Sequence, residues 1–137
     1  SEYVDEIRRI GGDSIIVRGM QPFDEISKWV AAADVIAIPQ KDTPATWGQL
    51  PSKVFDAMAM AKPIVATDVN DLPMVLDDCG IIVEPENVAQ LKEAIMDLHR
   101  KPAEREELGK KARERCIERY SYDTLAPVID EVIMNVC

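Results

Sequence analysis

Four short apolar runs, at residues 14–17, 35–39, 63–67 and 80–83, constrain this chain more than anything else in its sequence. Each is rich in β-branched side chains, which suit extended backbone, and none alternates with polar residues. A strand buried on one face alternates; a run without alternation is covered on both faces, as in a parallel sheet lying between helices. The segments between the runs have helical spacing. Residues 22–33 repeat Phe23, Ile26 and Val30 behind an early proline, Pro22, and residues 51–61 set Val54, Phe55, Met58 and Ala61 on one side.

After the fourth run, helix follows helix. Residues 87–100 carry the stripe Val88, Leu91, Ile95 and Leu98 behind a capping residue, Asn87. Residues 102–119 open on Pro102 and have a thin stripe of Leu108, Ala112, Cys116 and Ile117; their many charges read as a solvated face. Residues 123–136 are expected to form a helix that buries Leu125, Val128, Ile129, Val132 and Ile133 against another element. The alternation of strand and helix with short connections predicts an α/β chain of the Rossmann-like class. It comprises an open parallel sheet of about four strands, flanking helices and a C-terminal run of three helices. Residues 2–10 form a helix with Val4, Ile7 and Ile10 apolar and no strand before it. Residues 1–137 are therefore expected to be one incomplete domain lacking its leading strands. An apolar patch near Ile7, Ile10, Ile15 and Val17 and an open sheet edge would then favour self-association.

Composition narrows the function. Twenty-five acidic against sixteen basic residues give a net charge of -9, which removes the attraction behind most non-specific nucleic-acid binding, so no nucleic-acid partner is expected. Cys79, Cys116 and Cys137 are odd in number and widely spaced, and read as reduced thiols of a cytosolic compartment. No apolar run approaches the roughly 20 residues that cross a bilayer, and residues 1–11 are charged rather than signal-like.

In open parallel sheets, ligands bind beyond the carboxyl ends of the strands. This points to the loops at residues 18–21, 40–50 and 68–71. The middle loop is the longest and leads directly into the helix expected from Pro51, whose unpaired N–H groups suit a phosphate or diphosphate. Ser52 and Lys53 add a hydroxyl and a cation, or merely cap the helix and meet solvent. One turn further on, Asp56 is placed to accept hydrogen bonds from vicinal ribose hydroxyls, or is an exposed helical acid. The one histidine, His99, ends the helix after the last strand, where favourable contact with the helix dipole explains it.

The run from Trp47 to Thr67, Trp-Gly-Gln-Leu-Pro-Ser-Lys-Val-Phe-Asp-Ala-Met-Ala-Met-Ala-Lys-Pro-Ile-Val-Ala-Thr, resembles the donor-site segment of family 4, or group 1, retaining glycosyltransferases with the two-domain GT-B fold. Arg18-Gly19, Ala32-Ala33-Asp34-Val35, Gly80-Ile81-Ile82-Val83 with Pro85 and Asn87, and Glu118-Arg119-Tyr120-Ser121-Tyr122 extend the resemblance in the same order, from about residue 13 to 133. It implies the later part of a C-terminal, nucleotide-sugar-binding domain. In that family two glutamates have seven residues between them. Asp56 matches the second, on the ribose, while Gly48 stands where the first, near the donor sugar, is absent. Gly48, Gln49 and Leu50 fall where the family presents backbone amides to the donor diphosphate, with Ser52 and Lys53 beside them.

The implied reaction is retaining transfer from a nucleoside-diphosphate sugar to a hydroxyl of a glycan, lipid or other acceptor. The acceptor would be held by an N-terminal domain absent from this chain, as is the family's upstream Arg/Lys pair. The catalytic residues are therefore unknown, and the chain alone is expected to be inactive. No cofactor is implied, and no His/Cys/Asp cluster has metal-ligand spacing. A cytoplasmic location follows, with peripheral membrane association open for the longer enzyme. The alternative is a non-enzymatic α/β binding module of receiver-like or scaffolding type, but the strand ends carry Arg18, Gln40 and Thr67 rather than paired acids. A nicotinamide-binding domain fits less well still, because no GxGxxG follows any run.

Overall fold

The computed structural model describes residues 2–136. Three strands, β1 (Ile36–Ile38), β2 (Ile64–Thr67) and β3 (Ile81–Val83), form a parallel sheet in the order β1-β2-β3. Ile36 pairs with Ile64, and Val65 with Ile81. Seven α-helices accompany it: α1 (Glu2–Gly11), α2 (Ile26–Ala32), α3 (Lys53–Ala59), α4 (Leu72–Leu76), α5 (Val88–Arg100), α6 (Pro102–Tyr120) and α7 (Tyr122–Val136). The open parallel sheet and the order of three closing helices are as expected, but the expected burial of α7 is corrected: among the described residues it packs chiefly along α6, and Leu125, Val128, Ile129, Val132 and Ile133 all remain exposed.

The strand count is corrected from about four to three. Residues 14–17 do not join the sheet, although Ile15 has extended angles, φ -119° and ψ 122°. A strand is defined by its ladder. The Ile15 N–H donates instead to the Gly12 carbonyl at 3.4 Å, and Ile16 is 76% exposed. β1 pairs only with β2, so its outer edge is open among the described residues. Of the four residues expected in an apolar patch, Ile10 and Ile15 are exposed, while Ile7 and Val17 are half-buried. Just beyond the segment, the Arg18 guanidinium lies 5.3 Å from the centre of the Trp29 ring.

The two faces of β2 explain why its run lacks alternation. Ile64 and Ala66 face one layer with Val54, Ala57 and Met58 of α3 and Leu72, Val75 and Leu76 of α4. Val65 faces the other layer with Leu98, and with Leu91 and Ile95 of α5. The α5 cap is as expected: Asn87 Oδ1 accepts from the Gln90 N–H at 3.0 Å. α6 supplies Ala112 and Cys116 to the first layer and Leu108 to the second.

The charges of α6 are only partly a solvated face. Lys110 and Glu106 pair at 2.9 Å on the surface, but two arginines reach the carbonyl ends of other helices. Arg113 donates to the Ala59 carbonyl of α3. Arg115 donates to the Val75 and Met74 carbonyls of α4, each at 2.8 Å, and lies 3.4 Å from Asp77. A cation at the C-terminal end of a helix satisfies carbonyls that the helix leaves unpaired. Cys79, buried near Arg115, is pushed up to about 11 by desolvation, the guanidinium only partly opposing it. Cys79 and Cys116 are free and buried, whereas Cys137 lies outside the described residues. Among the described residues no helix is long and apolar enough to cross a membrane.

Candidate functional site

The loop between β1 and α3 crosses the carboxyl end of the sheet, and its own polar groups shape it. Thr46 Oγ1 donates to the Lys41 carbonyl at 2.5 Å and accepts from the Thr43 N–H at 3.1 Å. Trp47 Nε1 donates to Asp42 Oδ1 at 2.7 Å, leaving its ring on the surface. Gly48 turns the chain at φ +73°, a left-handed conformation that glycine adopts without a β-carbon clash. Gln49 Nε2 donates to the Ala45 carbonyl at 2.8 Å.

The end of β2 fastens this loop from the side. Thr67, the buried polar residue of the core, donates from Oγ1 to the Gln40 carbonyl at 2.7 Å. Asn70, at φ +52°, donates from Nδ2 to the carbonyls of Thr46 at 2.7 Å and Gln49 at 3.0 Å. Its Oδ1 accepts from the Gly48 N–H at 3.1 Å. The 68–71 loop is one of the three at strand ends, but neither Thr67 nor Asn70 stands out in the sequence as a site residue. The readable signal was a polar residue tolerant of left-handed backbone directly after a strand.

The six residues singled out in the sequence fall into two groups. Gly48, Gln49 and Leu50 lie in the loop, and Ser52 and Lys53 at the start of α3, which begins at Lys53 rather than at Pro51. The Gly48 N–H is engaged by Asn70, and the Gln49 N–H donates to the Thr46 carbonyl at 3.1 Å. Among the described residues, no acceptor meets the N–H groups of Leu50, Ser52 and Lys53. The Ser52 side chain makes no capping bond. α3 is seven residues long, so an anion here would meet individual N–H groups and the Lys53 ammonium rather than an extended helix dipole.

Asp56 stands apart from that group. It is exposed and lines a shallow hollow of about 300 Å³ between α2 and α3, with Phe23, Asp24, Ser27 and Met60. A second hollow, of about 150 Å³, lies on the α5 face of the sheet between Gln40, Lys41, Thr67 and Glu84. Lys41 and Glu86 approach to 3.7 Å at its rim. His99 is in the last turn of α5, beside Ala33 and Val35 at the opposite, amino-terminal edge of the sheet. Its place at a helix end agrees with the dipole explanation.

The family model for group 1 glycosyl transferases matches residues 1–101. The chain is 33% identical over 128 residues to an alpha-maltose-1-phosphate synthase of Mycolicibacterium smegmatis, covering 88% of this chain and 32% of that protein. It is 29% identical over 106 residues to an MMP alpha-(1->4)-mannosyltransferase of Mycolicibacterium hassiacum, covering 75% and 25%. The chain thus spans about a third or less of the curated relatives it matches.

Among solved structures, a sucrose-phosphate synthase from Thermosynechococcus elongatus superposes with a TM-score of 0.87 at 21% identity, over 98% of this chain and 34% of that one. The C-terminal domain of a group 1 glycosyl transferase from Francisella tularensis superposes at 0.71 and 21% identity, over 88% and 62%. The structural likenesses establish the fold, and the residues matched by the family model include β1, the 40–50 loop, α3, β2 and β3. The chain belongs to the group 1 glycosyl transferases, with the fold of a GT-B C-terminal domain.

Proposed function

We propose that this chain is the nucleotide-sugar-binding part of a two-domain glycosyltransferase, which transfers a hexose with retention from a nucleoside diphosphate to an acceptor hydroxyl. The observation that carries the reading is the family match over residues 1–101, which includes the 40–50 loop and α3. The short coverage of the longer relatives supports a second domain that holds the acceptor. On this reading the chain alone transfers nothing, and the enzyme works in the cytoplasm.

As the donor bond breaks, negative charge grows on the departing diphosphate. N–H groups already aimed at that charge stabilise it without reorganising. Leu50, Ser52 and Lys53 supply such groups, and the Lys53 side chain adds a cation. Gly48 and Gln49 shape the loop that carries them. Asp56, in the neighbouring hollow, accepts from the ribose hydroxyls.

Asp56→Ala, made in the longer enzyme that this reading implies, is expected to weaken binding of the matching nucleoside diphosphate by about 1.5–3 kcal/mol, the range for hydrogen bonds to a charged group. Lys53→Ala is expected to weaken it less, with the loss shrinking as salt screens the exposed ammonium. Isothermal calorimetry reads both. Unchanged affinity in Asp56→Ala would remove that residue from the site.

The open edge of β1 and the exposed Ile10, Ile15 and Ile16 are expected to make the isolated chain associate with itself. Sedimentation velocity over a concentration series should show a rising mean mass. A constant monomer would count against the missing-strand account.

A further inference from the structure

We propose that Asn70 is a positioning residue for the donor: its side-chain amide holds the 46–49 backbone and so sets where the free N–H groups of Leu50, Ser52 and Lys53 point. The inference rests on the reading of this loop as the diphosphate site. Asn70 makes three hydrogen bonds to three successive parts of the loop, at the Thr46 carbonyl, the Gly48 N–H and the Gln49 carbonyl. That pattern demands two donors and one acceptor from one short planar group, which a primary amide has and a carboxylate or hydroxyl lacks. It also fixes the orientation of the amide, because the reverse assignment would set Oδ1 against two carbonyl oxygens. The left-handed backbone at φ +52° brings the side chain back over the loop, and asparagine tolerates this conformation better than most residues. The Gly48 N–H, which the family resemblance directs toward the diphosphate, is spent on this grip instead.

Asn70 is exposed, and its side-chain hydrogen bonds all go to the 46–49 backbone. Its replacement therefore acts first on loop position. Asn70→Gly keeps the backbone conformation and removes all three bonds. Asn70→Asp keeps an acceptor for Gly48 but turns an oxygen toward the Thr46 and Gln49 carbonyls.

The test uses the 137-residue chain, isotopically labelled, with UDP, GDP and ADP as separate probes and the corresponding nucleosides as controls, each titrated by chemical shift. For the diphosphate that binds, the dissociation constant is expected to rise about 3- to 10-fold in Asn70→Gly and about 10-fold or more in Asn70→Asp, as loss of one or two net hydrogen bonds implies. Binding of the nucleoside should change less than about twofold, and unfolding in urea should remain a single transition of unchanged slope, its midpoint lowered by no more than the lost surface bonds contribute. Amide exchange at Gly48 should quicken in Asn70→Gly and stay slower in Asn70→Asp.

Diphosphate affinity unchanged in both variants would overturn the positioning role while leaving the diphosphate site standing. An equal loss for nucleoside and diphosphate would overturn it too, since the effect would then be a general loosening. Wild-type chain that binds none of the three diphosphates would remove the site, and the inference with it.

Discussion

Gly109→Val is expected to destabilise the fold by about 3 kcal/mol, the upper end of the usual overpacking range. Gly109 is buried in the middle of α6, where that helix crosses the end of α3. A β-carbon there would overlap the carbonyl oxygen of Ala61, and backbone cannot step aside as a flexible side chain would. Ala61 is itself held. It sits at φ +53°, its N–H donates to the Met58 carbonyl at 3.0 Å, and the Lys62 N–H donates to the Ala57 carbonyl at 3.0 Å, a paired helix ending. Gly109→Ala decides between two effects of opposite sign. In an unobstructed helix it would raise stability by about 1 kcal/mol. At this crossing the overlap outweighs that gain, and a net loss is expected. Urea denaturation measures both variants, and a more stable Gly109→Ala would show that α6 and α3 do not approach so closely.

Met58→Ala is expected to cost about 2–5 kcal/mol, from lost burial plus the cavity left behind. Met58 is fully buried in the layer that α3 shares with Ile64, Leu72, Leu76 and Cys116. Against a total stability of about 5–15 kcal/mol for a typical domain, that loss brings the chain close to unfolding. Met58→Leu, which nearly conserves volume, is expected to cost less than about 1.5 kcal/mol. A lower urea midpoint with unchanged slope in Met58→Ala would assign the loss to the native core. Near-wild-type stability would mean that this layer packs loosely. Asp56, on the exposed side of the same helix, belongs to a different class: its removal should alter ligand affinity and leave the urea midpoint where it was.

The parts of this fold that were legible in the sequence are those decided by local pattern. The unalternating runs at 35–39, 63–67 and 80–83 became the three paired strands, because each run contributes side chains to layers on both faces. Asn87 capped α5 as its residue type predicts. Residues 14–17 look identical by pattern, yet a ladder needs a neighbour, and pattern within a run carries no information about one. α4, five residues long with Pro73 near its start, is too short for periodicity to register. The reach of Arg113 and Arg115 to carbonyls 40 or more positions away depends on how α6 crosses α3 and α4, and at sequence level these arginines match their solvated neighbours.

The candidate site divides in the same way. The rule that ligands gather beyond strand ends picked out the 40–50 loop, and Gly48 proved to turn it with left-handed backbone. Which N–H groups stay free could not be read from the sequence. The Gly48 N–H, for one, is taken by Asn70, 22 residues away in the chain and brought beside it only when β1 and β2 pair.

The most direct test of the central claim, that the 40–50 loop and the start of α3 receive a nucleoside diphosphate, is an amide chemical-shift titration of the labelled chain with UDP, GDP and ADP. Such a titration detects even millimolar binding. At least one of them is expected to shift the amides of Leu50, Ser52, Lys53 and Asp56, saturably, while those around His99 at the far edge of the sheet stay in place. Shifts confined to the far edge, or no saturable shift with any of the three, would contradict the claim.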